Sequence, residues 1–262
     1  MVDIGANLTN TVFHDDIDDV LRNAFDKNIK SIIITGTSVK NSEDAISLCS
    51  KYHQYKLFST VGIHPHNAKH MNSQSEVELS KLIVSNKCVK AVGECGLDFN
   101  RMFSNKKSQI KCFEMQIELA LKYKLPLFLH ERDAHKEFLE VLDKYRDRLK
   151  DIKVVVHCFT GNKTQAKEYV DRGFYIGITG WLCDNQRNKD LIEAVKHIPL
   201  ERIMVETDSP FLTPPESKAR RNTPDNIMIV IDRLAVLLGV DRKALDFIIL
   251  KNTIDFFGLY NI

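Results

Sequence analysis

The sequence predicts an α/β chain, a single (β/α)8 barrel of the TIM type over residues 1–262 with additional C-terminal helices. Three observations predict it. Eight short β-rich runs recur along the chain, amphipathic stretches separate them, and the runs are near-continuously apolar rather than alternating. Continuous apolar strands joined by helices imply parallel pairing with both faces covered. Eight such units within 262 residues suit a closed barrel, whose usual length is roughly 250 residues.

The first run is Val2–Ile4, followed by "DDIDDVLRNAFDKN", where apolar residues recur at helical spacing. Ser31–Thr35 ("SIIIT") and Leu57–Gly62 ("LFSTVG") supply the second and third strands, and Val89–Val92 the fourth. The stretch "KCFEMQIELALKYK" then reads as a helix before the fifth strand, Leu127–Leu129. Lys153–Val156, Tyr175–Ile178 and Arg202–Val205 complete the set. Two helical stretches, "PDNIMIVIDRLAVLLG" and "ALDFIILKNTIDFFG", follow and are expected on the outside. The rival architecture is a doubly wound open sheet. It lacks its usual signature, because no Gly-x-Gly-x-x-Gly follows the first strand.

Composition narrows the function classes. The chain is 44% hydrophobic, enough for a sizeable core, and its formal net charge is +2 from 37 basic and 35 acidic side chains. That balance does not by itself announce a nucleic-acid binder, although a local patch would suffice. The six cysteines form no Cys-x-x-Cys pair, which suits reduced thiols in a cytoplasmic protein. No targeting segment or membrane span is read, so no membrane partner is expected. A monomer is the default expectation, although nothing in the sequence sets the oligomeric state.

The chemistry gathers where strands end. The third predicted strand runs into His64 and His66, the fourth into Glu94, the fifth into His130, the sixth into His157 and the eighth into Glu206 and Asp208. In a barrel those ends converge on one rim, where active sites sit. A histidine at a strand end is ordinarily a structural residue, and "VETD" is compatible with a helix cap. Their joint placement favours a metal centre, because imidazoles and carboxylates together suit divalent first-row ions or magnesium. A cation would also explain Glu94, a carboxylate closing an apolar run, since burying it unpaired is costly. Gly93 and Gly96 beside it would let backbone approach closely.

These residues lie in eight ordered motifs: "DIGANLT", "ITGT", "GIHPH", "GECGLDFNR", "FLHERDAH", "VHCFTG", "YIGITGW" and "VETDSPFL". Together they resemble the TatD family of metal-dependent hydrolases, from Asp3 to beyond Pro224. The resemblance implies a single metal-dependent hydrolase barrel and deoxyribonuclease activity, with nucleotides removed 3′→5′ from single strands. It implies Glu94, His130, His157 and Asp208 as metal-binding residues, Asp208 also orienting or deprotonating the attacking water, and His64 contacting substrate phosphate or an ion. Catalysis is thus expected from Asp208, Glu94 and His64. Many relatives carry His-x-His after the first strand, where this chain has Gly5-Ala6-Asn7. The loss of two imidazoles favours Mg2+ or Mn2+ over Zn2+, with one or two ions bound.

Glu206, two residues before Asp208, faces the same side of its strand and is expected to orient a ligand histidine, or else to be a buried structural carboxylate. Arg221, in "KARRNTP", is expected to bind substrate, since an arginine fork matches phosphate. His66 joins it, and Trp181, the only tryptophan, is expected either to stack a base or to plug the rim. Pairing of Asp98 with Arg101 is the simplest reading of those two. Cys95 and Cys158 adjoin ligand positions but face away from them, so neither is read as a nucleophile.

In this reading a divalent ion lowers the pKa of water and polarises a phosphoryl oxygen of single-stranded DNA or RNA. The alternative is hydrolysis of another ester or amide, such as an aminoacyl-tRNA, because a barrel fold does not set the substrate. A scaffold without metal is the third reading.

Overall fold

The computed structural model describes residues 1–260 and 262. Eight strands form one sheet in the order β1 to β8: Val2–Ala6, Ser31–Ile34, Leu57–Val61, Val89–Asp98, Leu127–Arg132, Val154–Val156, Tyr175–Ile178 and Ile203–Val205. The registered pairs β1–β2, β3–β4, β4–β5, β5–β6 and β7–β8 are parallel. The loop after β8 returns to β1: Asp208 N–H donates to Gly5 O at 2.8 Å, and Asn7 N–H to Ser209 O at 2.7 Å. Strand order, parallel pairing and this return are those of a (β/α)8 barrel.

The chain divides into two compact units. The first comprises Met1–Ile34, Tyr52–Leu57 and Cys158–Ile262; the second comprises Thr35–Lys51 and Phe58–His157. In the first, α1 (Ile17–Asp26) buries Ile17, Val20, Leu21 and Ala24, one stripe at helical spacing, with Asp18 and Asp19 at its positive N-terminal end. α6 (Lys163–Asp171) starts from a reciprocal Asn162–Gln165 capping box, and α7 (Lys189–Val195) precedes β8. α8 (Ile227–Leu238) and α9 (Arg242–Phe257) are the two C-terminal helices expected from sequence, and both pack on β8.

The second unit holds α2 (Val39–Lys51), α3 (Ser75–Ser85), α4 (Lys106–Tyr123) and α5 (His135–Lys144). Asn105 caps α4 by accepting from Ser108 N–H at 2.9 Å. Phe113 of α4 and Phe138 of α5 stack with centroids 5.3 Å apart, both fully buried.

Two neighbouring elements depart from expectation in a way that matters. β4 runs past Val92 through Glu94 to Asp98, and β5 continues past Leu129 to Arg132. Two glycines permit this. A Cβ on Gly93 would lie 2.1 Å from Phe128 O, and one on Gly96 2.0 Å from His130 O, and both have φ between +138° and +144°. The backbones of β4 and β5 are therefore closer than any side chain allows. Gly96→Ala is expected to destabilise the fold by about 3 kcal/mol or more, through strain and steric overlap together. Thermal and urea unfolding check it; an unchanged transition would show that β4 does not need this approach.

Candidate metal centre

Three elements of the second unit bring imidazoles to one carboxylate on a fourth. Glu94 is held in β4 by its own N–H, which donates to Gly36 O at 2.7 Å, and is 5% exposed. At the end of β3, His64 N–H donates to Thr37 O and its Nδ1 accepts from His66 N–H at 3.1 Å. That bond fixes the ring: its proton sits on Nε2, which faces Glu94 Oε1 at 3.2 Å. His130 of β5 places Nδ1 2.9 Å from the same oxygen. His157, whose N–H donates to Leu129 O at 2.8 Å just past β6, places Nε2 2.7 Å from it. Its ring stacks on Phe128 at 4.6 Å. Three imidazoles thus converge on one buried oxygen.

Asp98 is the residue that sequence reasoning misplaced. It is 3% exposed, and instead of pairing with the Arg101 side chain its Oδ1 accepts the backbone N–H groups of Asn100 and Arg101 at 3.0 Å each. Oδ2 faces His66 Nε2 at 2.7 Å and His130 Nε2 at 3.3 Å. The signal was the even spacing Glu94–Gly96–Asp98, which puts both carboxylates on one face if the strand continues. Ending the strand at Val92 concealed it.

Electrostatics follow from this packing. Burial alone would raise Glu94, but the surrounding histidines outweigh it and hold the carboxyl well below its usual range. Burial lowers His64 to about 4, with His130 and His66 adding to the fall and Glu94 opposing it. Burial also opposes protonation of His130, yet hydrogen bonds to Asp98 and Glu94 prevail and raise it to about 9. Burial pushes Asp98 upward too, but its bonds to His130 and His66 carry it below the ordinary carboxylate range.

Among the described residues, His64, Glu94 and His130 present ligand atoms within 4.8 Å of one another. With His157 beside them, this set of imidazole nitrogens around an ionised carboxylate fits a divalent cation. Within it, His130 has the arrangement found at metal sites: one ring nitrogen toward the ligand cluster, the other held by a carboxylate. His64 differs, because its only nitrogen toward Glu94 carries the proton.

The remaining expected site residues belong to the first unit. Asp208, at φ +55°, accepts from Asn7 Nδ2 at 2.9 Å through Oδ1. Asn7 therefore turns its amide nitrogen, a donor, toward that carboxylate. Glu206 is fully buried and accepts the N–H of Cys158, the residue after His157, at 2.5 Å. Asp3, also fully buried, accepts from Thr207 Oγ1 at 2.6 Å and from the N–H groups of Thr207 and Gly5. Burial raises its pKa to about 8 despite those bonds. Trp181 donates Nε1–H to Arg187 O at 3.2 Å, and the Arg187 guanidinium lies 4.1 Å from its ring centroid. Arg221 reaches Val12 O, grips Asp16 with Nη2 at 2.6 and 2.5 Å and lies over Phe13 at 4.6 Å. In the second unit, Cys95 beside Glu94 is fully buried, and burial raises its thiol well above the ordinary value.

A (β/α)8 barrel carrying imidazoles and carboxylates at its strand ends is the architecture of metal-dependent hydrolases. The TatD related DNase family matches residues 2–258, and the chain belongs to that family. It is 41% identical over 249 residues to the 3′-5′ ssDNA/RNA exonuclease TatD of Salmonella typhimurium, covering 94% of each chain. The protein of that name from Escherichia coli K12 is 39% identical over the same length. Among solved structures, a TatD family hydrolase from Entamoeba histolytica superposes with TM-score 0.90 at 28% identity, covering 98% of this chain and 97% of that one. The chain is an enzyme of the hydrolase class, and no described helix is long and apolar enough to cross a membrane.

Proposed function

We propose that the chain is a divalent-metal-dependent 3′→5′ exonuclease that hydrolyses phosphodiester bonds of single-stranded DNA and RNA. The observation that carries this reading is the convergence of His64, His130 and His157 on Glu94 Oε1, in a chain about 40% identical to relatives named for that activity. Glu94, His130 and His157 would hold the ion, Mg2+ or Mn2+ in view of Asn7 standing where other members place histidine. A divalent ion there supplies charge neutralisation at the phosphoryl group and a lowered pKa for attacking water.

The chain's own groups supply the rest. His64, neutral with its proton on Nε2, would donate to a phosphate oxygen once the ion engages Glu94, the acceptor it otherwise faces. Asp98 fixes the orientation of His130 and His66. Glu206 holds the backbone that follows His157. The resemblance implies that Asp208 orients the attacking water or takes its proton, and its bond to Asn7 supports that reading by fixing the carboxylate's orientation.

The test is release of mononucleotides from 3′- and 5′-labelled single-stranded DNA and RNA with Mg2+ or Mn2+. Hydrolysis is expected with either metal and should disappear with EDTA, returning when metal is restored. Aminoacyl-tRNA is assayed beside the oligonucleotides. Deacylation without nucleotide release would replace the nuclease reading by an ester-hydrolase one.

A further inference from the structure

The loop joining β4 to α4 places two large apolar residues in solvent beside the centre. Met102 is 41% exposed and Phe103 54%. Met102 has φ +48°, a region that residues other than glycine enter seldom and asparagine or aspartate enter more cheaply. The loop is pinned on both sides of this pair. Before it, Asp98 Oδ1 accepts from Asn100 and Arg101, and Asn100 Nδ2 donates to Asp133 at 2.7 Å. After it, the buried Ser104 donates Oγ–H to His66 O at 2.9 Å, accepts from Lys69 N–H, and receives Gln109 Nε2 on its carbonyl at 2.8 Å. Anchors this close hold the backbone that carries Phe103, while its side chain stays exposed.

The ring is held next to the catalytic cluster. Its centroid lies 4.8 Å from that of His66, edge to face, and His66 is bonded to Asp98, which bonds His130. The His66 and His64 rings are 4.3 Å apart. A strand whose phosphate sits beside His64 would bring a neighbouring base to this exposed aromatic ring. A base meets such a face whatever its sequence, which is how single strands are held without sequence preference.

Building on the nuclease reading, we propose that Phe103 is a stacking platform for a nucleobase of the bound single strand. Trp181, which the sequence left open between stacking a base and plugging the rim, has its ring against the Arg187 guanidinium.

Phe103→Ala and Phe103→Leu are expected to raise KM for a single-stranded oligonucleotide about tenfold, with kcat within about twofold of wild type. Phe103→Trp is expected to restore KM to within about threefold. Leucine keeps bulk and apolarity, so its failure with tryptophan's success isolates stacking. On an oligonucleotide whose 3′-terminal nucleotides are replaced by abasic tetrahydrofuran residues, wild type and all three variants should have the same KM. The proposal is overturned if Phe103→Ala keeps the wild-type KM on the normal strand, if leucine rescues as well as tryptophan, or if the alanine penalty persists on the abasic strand. A wild-type protein that hydrolyses neither strand removes the nuclease reading and this inference together. Wild-type hydrolysis with indifferent variants removes the inference alone.

Discussion

Glu94→Gln is expected to lower kcat/KM for nucleotide release by about a thousandfold or more, a loss of roughly 4 kcal/mol of transition-state stabilisation. The substitution keeps shape and removes charge. In the wild type, Oε1 is the common target of His64, His130 and His157 at 2.7 to 3.2 Å. Glutamine answers with one neutral oxygen and one NH2, so the negative charge that draws both imidazoles and a cation is gone. Isothermal titration with Mn2+ should show weakened binding in parallel with the kinetics. Wild-type rates in the variant would mean that hydrolysis occurs elsewhere. A stability signature accompanies the change. Glu94 has a folded pKa below its unfolded value, so its contribution is present above about pH 4.5 and is lost as pH falls through the folded value. The metal-free wild type should therefore lose its stability difference from Glu94→Gln on acidification.

Asp98→Asn is expected to weaken metal binding by about ten- to a hundredfold at pH 9, the usual size of losing the group that orients a ligand histidine. The pH dependence distinguishes this from simple damage. In the metal-free protein His130 is raised to about 9, with Asp98 and Glu94 as the partners that hold its proton. Below that pH a cation must displace the proton, so wild-type affinity should climb about tenfold per pH unit toward pH 9 and then level. Asparagine removes one of the two carboxylates, lowers the His130 pKa and flattens the climb. The gap between variant and wild type should narrow as pH falls from 9 to 6.5, read by titration calorimetry at fixed ionic strength. A constant ratio across that range would show that Asp98 does not act through His130. The same shift bears on stability: a raised folded pKa contributes fully below the unfolded value near 6.5 and is lost as pH rises through about 9. Metal-free wild type should thus lose stability relative to His130→Gln across that window.

Much of the architecture was legible because it is locally encoded. Runs such as "SIIIT" and "LFSTVG" pair in the predicted order, and Tyr175–Ile178 forms a strand with the predicted limits. Helical spacing likewise located α1, α8 and α9. The strand-end imidazoles and Glu94 were legible for the same reason: each interrupts an apolar run that needs no polar group.

What the sequence could determine alone was composition along each segment: period, apolar runs and the side chains that close them. Tertiary structure decided which of those side chains meet, since hydrogen-bond partners dozens to hundreds of residues apart depend on how strands register. It extended β4 to Asp98 through two glycines that tolerate a neighbouring backbone, and so turned a supposed partner of Arg101 into the carboxylate between two histidines. It also set Arg221 on Asp16 and the Trp181 ring beside Arg187, choices that local propensity leaves open.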